Sequence, residues 1–359
     1  MTAEAQVRDP ERQAMVDRAA GIWTAASRFA VVLVLLVGIF VFFSLTQPDF
    51  FSQANIENLL TGSSILFVVS IGMTFVVLTG GIDLSVGSLL ALSGIILSGL
   101  FNDVGVPAPL AVVGTCLLAA LLGGAVNGVL IGRLGLSFFV VTLGTLSIYR
   151  GVVNIWSDTE TTYITSSFVD AIAFGKFLGI AYPIWIMVAT YLVALVVLRW
   201  TYFGRDVYAV GGNITAARLS GINVARTLIM VYAIAGLCAG IGGVIQAGRL
   251  GAASPLVGVN TPLDAAAAVL LGGTSFLGGM GGVTGTAVGV LFIGTLQNGL
   301  SIAGVSSFWQ QVVTGVILIL AIAIDLLQQG PGGRLRRLRA FGHGPTSTSE
   351  PTPEEGKAS

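Results

Sequence analysis

Long stretches without any charged residue constrain this chain more than any other feature of its sequence. The longest of them, residues 265–324, contains no Asp, Glu, Lys or Arg. A helix that crosses the roughly 30 Å hydrocarbon core of a bilayer needs about 20 mostly apolar residues. This stretch alone therefore has room for two crossings and part of a third. Charged residues make up only 9% of the chain, whereas a soluble domain carries roughly a quarter. The sequence predicts an integral membrane protein.

Apolar runs of similar length recur along the chain and predict an all-α, polytopic membrane protein. About ten transmembrane helices are expected, some of them broken or re-entrant. The candidate segments are 29–46, 56–79, 84–101, 108–131, 137–156, 180–199, 228–248, 261–275, 283–302 and 307–327. The segment 261–275 is the shortest, and a re-entrant or broken helix is an alternative to a full crossing there.

The distribution of basic residues predicts how these segments are oriented. With the N-terminus in the cytoplasm and ten alternating crossings, only Arg150, Lys176 and Arg249 of the 17 Lys and Arg residues lie outside. Cytoplasmic loops carry an excess of Lys and Arg, so an even number of crossings with both termini in the cytoplasm is favoured. A multi-pass protein of the cytoplasmic membrane is expected.

The same pattern divides the chain into three parts. A cytoplasmic N-terminal segment, 1–28, precedes a transmembrane domain, 29–328, and a cytoplasmic tail, 329–359, follows it. The tail begins with a basic cluster expected to lie on anionic lipid headgroups and ends in a Pro/Thr/Ser/Glu-rich stretch expected to be disordered. The largest cytoplasmic loop, about 200–227, is expected to be helical in its Ala-rich middle.

A glycine pair interrupts the apolar pattern at the start of the third segment. Gly80 and Gly81 break helical continuity. Asp83 then stands at an N-cap position, with its carboxylate placed to accept N–H groups from Ser85 and Val86. A capped helix start explains this pattern, and so does a pathway or hinge residue, because a charge in so apolar a setting is often functional.

A second glycine-rich interruption follows the short segment near the C-terminal end. Asp264 lies close to Pro262, and Gly272 and Gly273 begin a stretch that continues with further glycines to residue 282. Interrupted spans in the two halves of a transporter point to its translocation site, because broken helices expose backbone polar groups to a cavity. The two breaks are therefore predicted to form a pathway or hinge, with close helix packing through small residues as the alternative.

A third motif lies in the large cytoplasmic loop, at 210–223. Its middle predicts a short helix that ends at a glycine. An amphipathic loop helix without a binding role would fit this pattern, and a docking element for a cytoplasmic partner would fit it too. The candidate docking residues are Thr215, Ala216, Ala217, Arg218 and Gly221.

Motifs for catalysis and metal binding are missing from the sequence. No Gly-x-x-x-x-Gly-Lys-Ser/Thr phosphate loop occurs, so nucleotide hydrolysis would have to come from another polypeptide. His343 is the only histidine, which leaves no nucleophile–base arrangement and no Cys/His metal set. Cys116 and Cys238 lie inside apolar runs and are expected to be small buried hydrophobes. No catalytic residue, metal, cofactor or nucleic-acid partner is predicted.

Taken in order, the three motifs resemble those of the ribose-type ABC sugar permease family. The family's Thr-Gly-Gly-Ile-Asp-Leu-Ser-Val-Gly-Ser stretch is matched at 79–88, and its Gly-Gly-Asn…Ala-Arg-Leu-Ser-Gly-Ile-Asn segment at 211–223. Two further stretches, 263–275 and 304–313, are similar to the family near its C-terminal end. The resemblance covers roughly 30–328, and the ordered combination is far more specific than any one glycine motif.

This resemblance implies the permease subunit of an ATP-driven importer that moves a monosaccharide, such as ribose or another pentose, by alternating access. It implies a homodimer or heterodimer of permeases, a cytoplasmic ATP-binding subunit that binds the ATP, and an extracytoplasmic sugar-binding protein. The docking segment corresponds to the family motif Glu-Ala-Ala-x-x-x-Gly. Thr215 stands at the Glu position of that motif, which places any contact of that carboxylate in doubt.

A hydroxyl-rich substrate needs hydrogen-bond partners inside the membrane, and uncharged polar residues within the spans are candidates. They are Asn127, Asn154, Gln246, Gln297 and Asn298. Hydrogen bonds between helices are the alternative role for each of them.

Three other functions compete with this interpretation. The same type of permease would serve for a nucleoside, a polyol, a branched-chain amino acid or another small polar solute. A secondary transporter driven by protons or sodium would place ionisable residues in mid-span, and only Asp83, Asp264 and Arg150 approach that description. A membrane-embedded enzyme has no acid–base or metal cluster to support it.

Overall fold

The computed structural model describes residues 30–328, with side chains to residue 326. The predictions for 1–28 and 329–359 lie outside this range. Thirteen helices follow one another within it. They are α1 (Ala30–Thr46), α2 (Gln53–Leu78), α3 (Val86–Asp103), α4 (Ala108–Gly132), α5 (Phe138–Ser157), α6 (Ser167–Phe174), α7 (Tyr182–Trp200), α8 (Tyr202–Gly212), α9 (Ile214–Leu219), α10 (Val224–Leu250), α11 (Thr261–Leu271), α12 (Val283–Ile302) and α13 (Ser307–Gln328).

Helix length and composition confirm an all-α polytopic membrane protein. Within the described residues, eight helices are long and apolar enough to cross a bilayer. The two shorter apolar helices, α1 and α11, occupy the first and eighth predicted segments. All ten predicted segments are therefore helical, and α8 and α9 confirm the helical middle of the loop at 200–227. Helix α6 was not anticipated from the sequence.

Three helices form the centre of the bundle. The most apolar windows of α2, α3 and α10 are 83%, 78% and 67% buried, whereas those of α7 and α13 are only 17% and 6% buried. Small residues let the central helices approach closely. A Cβ at Gly72 of α2, for example, would lie 2.9 Å from both the Ala235 Cα and the Cys238 Cβ of α10. The weakly buried helices form the periphery of the bundle.

Helix α4 carries a π-helical stretch, Leu122–Gly128, where it packs against α10. Gly124 and Gly128 face the α10 backbone, since a Cβ at Gly128 would lie 2.7 Å from the Ile229 Cα. Such π-bulges are frequent at functional sites because the extra residue re-aims a side chain. Here the stretch carries Asn127, which is completely buried.

Short strands and an ion pair join the loops at the end of the bundle opposite α9. Thr162–Tyr163 pairs antiparallel with Ala252–Ala253, and Lys176–Phe177 pairs antiparallel with Ile180–Ala181. The Lys176 ammonium lies 2.6 Å from the Glu57 carboxylate. The loop 157–179 is therefore a structured cap that contains α6.

The eighth segment is a broken span. Helix α10 ends at Leu250, and the non-helical residues 254–260 run beside α3 until the Gly258 carbonyl contacts Gly87. Only then does α11 begin, and a non-helical backbone inside a membrane must be satisfied by protein. The guanidinium of Arg150 donates to the carbonyls of Pro255 and Val257, the latter at 2.9 Å. The predicted segment 261–275 is thus helical only over Thr261–Leu271, which is shorter than a full crossing needs.

Candidate transport site and coupling surface

The first break joins α2 to α3 through a buried carboxylate. Gly80 has a φ of +80°, which favours glycine, and it follows the last turn of α2. Asp83 is completely buried and accepts hydrogen bonds from the N–H of Ser85, at 2.9 Å, and from its hydroxyl. Ser85 is itself the N-cap of α3 and its side chain makes no capping bond. Asp83 therefore anchors the break through Ser85 and not, as predicted, also through Val86.

Helix α4 completes this cluster. The Asn127 amide donates to the Ser85 hydroxyl at 2.8 Å, across a sequence separation of 42 residues. The structure thus brings Asn127, which the sequence predicted separately, to the predicted pair of Asp83 and Ser85. Within the described residues, Asp83 Oδ2 and Asn127 Oδ1 accept no hydrogen bond. The three side chains therefore form one buried polar cluster between the first break and α4.

The second break follows α11 and contains several glycines in left-handed conformations. Gly273, Gly278 and Gly279 have φ values of +86°, +85° and +73°. Asp325 of α13 holds this break, since its carboxylate accepts from the Ser275 hydroxyl at 3.1 Å and from the Phe276 N–H at 3.2 Å. The predictions missed Asp325. Its signal in the sequence was a lone carboxylate at the end of an apolar span.

The two breaks touch each other and the cytoplasmic loop at one point, which we call the glycine junction: Leu78, Gly80, Gly211, Gly278 and Gly279. The N–H of Gly279 donates to the Leu78 carbonyl at 2.9 Å. A Cβ at Gly278 would lie 2.7 Å from the Gly80 nitrogen. Gly211, near the end of α8, leaves no room for a Cβ, which would overlap the Leu78 carbonyl and lie 2.6 Å from the Gly279 nitrogen.

A tyrosine connects α8 to the far side of the second break. The Tyr208 hydroxyl donates to the Gly281 carbonyl at 2.9 Å. Burial raises the pKa of Tyr208 above its ordinary value, so the hydroxyl keeps its proton and remains a donor. Beside this bond lies a cavity of about 380 Å³, lined by α7, by α8 and by both ends of the second break. Gly272 and Gly273 line this cavity. No pattern in the sequence pointed to Tyr208.

Other predicted pathway residues lie away from the junction. Asp264, in the first turn of α11, lies beside the Gln297 side chain of α12 and interacts with it. Asn298 instead pairs with Asn55 of α2 through two amide hydrogen bonds of 3.0 Å. Such a reciprocal pair is the interhelical role that was the alternative for this residue.

Two further candidates lie near the end of the bundle that carries the strands. Asn154 belongs to the last turn of α5, where its carbonyl accepts from the Thr159 N–H at 3.0 Å. Gln246 lies next to Ala253, beside α3. Neither belongs to the cluster of Asp83 or to the pair of Asp264.

The predicted docking segment forms helix α9 and is exposed on most of its surface. The Asn213 side chain accepts from the N–H groups of Thr215 and Ala216, both at 3.0 Å, and so caps the helix. Gly221 has a φ of +83° and ends it.

Ala217 is the one predicted docking residue that points inward. Its exposed fraction is only 3%, and it packs with Val210, Val224 and Leu228. Thr215, Ala216 and Arg218 are exposed, as are two residues that the prediction did not include, Ile214 at 46% and Leu219 at 84%. Ala217 therefore attaches α9 to the bundle, and its neighbours form the outer surface.

Basic residues are concentrated at this end of the bundle. Arg133, Arg199, Arg205, Arg218 and Arg226 all lie in or next to the connections at the α9 end. The excess of Arg in cytoplasmic loops predicts that the α9 end is the inner one. No group of three or more His, Cys, Asp or Glu side chains in the described part of the chain could hold a metal ion.

The comparisons with known proteins agree with this architecture. A family model described as the branched-chain amino acid transport system / permease component matches residues 55–322. The ribose import permease protein of Escherichia coli K12 is 40% identical over 313 residues, 86% of this chain and 95% of that protein. Its counterpart in Bacillus subtilis is 43% identical over 296 residues, 82% of this chain and 89% of that protein.

A third relative carries the name of a different sugar. The L-arabinose ABC transporter permease protein of Azospirillum brasilense is 37% identical over 305 residues, 85% of this chain and 89% of that protein. No solved structure shows a significant match. The identities and the coverage are high enough to decide the family. The chain belongs to the family of branched-chain amino acid transport system permease components, with ribose-type ABC sugar permeases as its relatives.

Proposed function

We propose that this chain is the membrane-spanning subunit of an ATP-driven importer for a monosaccharide, ribose or a similar sugar. The observation that carries the proposal is the exposed helix α9, which follows directly on α8, the helix that contacts both breaks of the membrane bundle. The names of the relatives, ribose and L-arabinose permeases, supply the substrate class. Proteins of this kind change the side to which a central site opens.

The ATP-binding partner is proposed to dock on the outer surface of α9. Ile214 and Leu219 offer exposed apolar contacts and Arg218 offers a charge. Exposed apolar residues beside an arginine are typical of an interaction surface. Thr215 cannot supply the carboxylate of the family motif, so docking is proposed to rest on these other side chains. The chain itself is then a permease without catalytic activity, and the partner binds and hydrolyses the ATP.

The remaining partners follow from the same proposal. A second permease subunit, identical or related, is proposed to complete the pathway, and an extracytoplasmic sugar-binding protein to deliver the substrate. Lipid surrounds the weakly buried faces of α7 and α13. ATP-driven closure of the partner subunits moves α9, and the two breaks respond so that the site opens to alternate sides.

Sugar recognition is proposed to involve the pair Asp264 and Gln297. A carboxylate and an amide together accept and donate hydrogen bonds, which is what the hydroxyl groups of a sugar require. Both side chains are only partly buried, and they lie where the broken span begins to be helical. The predicted roles of Gly80, Gly81, Asp83, Ser85, Asn127, Gly272 and Gly273 are proposed to be those of a hinge.

A direct test is sugar uptake into proteoliposomes that contain this permease with its ATP-binding subunit and binding protein. We expect uptake of a labelled pentose that requires both ATP in the vesicle lumen, on the α9 side of the permease, and the binding protein outside the vesicle. Competition with a nucleoside, a polyol and a branched-chain amino acid distinguishes the other permease substrates. Uptake that persists without the ATP-binding subunit and collapses with a proton or sodium gradient would identify an ion-coupled transporter instead.

A further inference from the structure

We infer that Tyr208 and Gly211 of α8 are positioning residues that transmit movement of the cytoplasmic loop to both membrane breaks at once. The inference rests on the proposed function for its physiological meaning, while its structural part is testable without transport. The contacts that carry it are the glycine junction and the hydrogen bond from Tyr208 to the Gly281 carbonyl. Neither residue needs to touch the substrate or the ATP-binding partner.

Helices α8 and α9 move as one body, because their packing ties them together. Helix α8 ends at Gly212, and Asn213, the next residue, caps α9. Val210 of α8 and Ala217 of α9 are each 3% exposed and belong to the same apolar cluster at the start of α10. A displacement of the exposed surface of α9 therefore carries the end of α8 with it.

The end of α8 holds the first break at the level of the backbone. Gly211 lies against the Leu78 carbonyl, the same oxygen that accepts from the Gly279 N–H at 2.9 Å. Because interiors are close-packed and have little free volume, Gly211 cannot move toward this carbonyl without shifting the last turn of α2. Gly80 and the buried Asp83 follow directly after that turn.

The second break is held at two points. Gly279 lies against Gly211 and donates to Leu78, and Gly281 accepts from the Tyr208 hydroxyl. Between and around these points the backbone is non-helical and rich in glycine, which gives it more conformational freedom than the helices on either side. Movement of α8 is thus transferred to a segment that can change shape, while α11 and α12 remain rigid.

The hydroxyl of Tyr208 provides the cleanest test. Tyr208→Phe keeps the ring and removes the donor to Gly281, and a neutral hydrogen bond corresponds to about a fivefold change in an equilibrium. Tyr202→Phe is the matched control, because Tyr202 belongs to the same helix but is exposed and stacks under Arg205. Gly211→Ala and its neighbour Gly212→Ala form a second pair, since a Cβ at Gly212 would meet nothing within 4 Å.

The experiment uses the whole importer, reconstituted with its ATP-binding subunit and binding protein. We expect Tyr208→Phe to lower the sugar transported per ATP hydrolysed by about fivefold, with assembly and ATP hydrolysis kept, and Gly211→Ala to lower it further. Tyr202→Phe and Gly212→Ala are expected to behave as wild type. Unchanged coupling in Tyr208→Phe would overturn the role of that hydroxyl.

Hydrogen exchange of the permease, measured by mass spectrometry, tests the junction independently of transport. Tyr208→Phe should speed exchange in 276–283, and Gly211→Ala should speed it in both 76–85 and 276–283, while 214–219 stays unchanged. If the exchange rate changed only within α8 in these variants, the inference would be overturned even in an active transporter. If the wild-type complex shows no ATP-driven uptake, the proposed function fails, and the exchange pattern still decides whether the junction transmits.

Discussion

Asp83 is completely buried in the first break, with one oxygen bonded to Ser85 and the other without a donor in the described part of the chain. Replacing it with Ala leaves the Ser85 N–H without its acceptor, at a cost of about 1–3 kcal/mol. We therefore expect Asp83→Ala to lower the unfolding temperature of the purified permease and to impair uptake. Asp83→Asn keeps an acceptor oxygen at the same place and should restore most of the stability.

Asp170, in the first turn of α6, is an exposed aspartate and gives the matched control. Asp170→Ala should leave both the unfolding temperature and uptake close to wild type, because surface substitutions usually change stability by less than about 0.5 kcal/mol. An Asp83→Ala protein with wild-type stability and uptake would reduce Asp83 to an incidental feature of the loop.

Asn55 and Asn298 form a reciprocal amide pair between α2 and α12. Interhelical hydrogen bonds in membranes are worth about 0.6 kcal/mol on average and up to about 1.7 kcal/mol. We expect Asn55→Ala to lose more stability than Asn298→Ala, because the Asn55 amide also donates to the Phe50 carbonyl at 2.8 Å, and the double variant to lose less than the sum of the two. Unfolding in detergent measures the stability of the wild type, the two single variants and the double variant, which form a double-mutant cycle. The KM for sugar should stay unchanged. A raised KM in Asn298→Ala alone would return this residue to the translocation pathway.

Helix α9 is held by one buried residue and offers a mostly exposed surface. Leu219→Asp changes a side chain that is 84% exposed, so the permease should fold normally while binding of the ATP-binding subunit weakens. Ala217→Leu forces a larger side chain into a site that is 3% exposed, and overpacking of this kind costs about 1–3 kcal/mol. Co-purification and thermal unfolding together should separate the two variants. Loss of stability in Leu219→Asp would contradict the docking role of this surface.

The helices could be predicted from the sequence wherever the length of an apolar run determines them. Each of the ten segments is helical, and the short segment 261–275 is broken, because its glycines and prolines cannot continue a helix. Helix α6 was missed, since its eight residues lie in a polar loop whose structure depends on packing against α10. The contacts among the two breaks and α8 could not be foreseen, because glycines show only that a close approach is possible and not which backbone approaches.

The whole molecule is organised between two unlike ends. At one end lie α9, the glycine junction and most basic loop residues, and at the other lie α6, the paired strands and the Lys176–Glu57 ion pair. The two breaks are held together near the first end, close to where α9 is exposed. Motion applied there has a short path to the bundle, whereas the strands tie the loops at the opposite end to one another.

This asymmetry predicts the sidedness of the protein in a membrane. In a Cys116→Ala/Cys238→Ala background, one cysteine is introduced at Leu219 of α9 or at Leu178 between the paired outer strands. Both leucines are highly exposed, at 84% and 78%, so accessibility depends on the side of the bilayer and not on burial. The excess of basic residues at the α9 end assigns that end to the cytoplasm. In intact cells, a membrane-impermeant maleimide should therefore label Leu178→Cys and reach Leu219→Cys only after permeabilisation. Labelling of Leu219→Cys in intact cells would invert the orientation and, with it, the docking of the ATP-binding partner on α9.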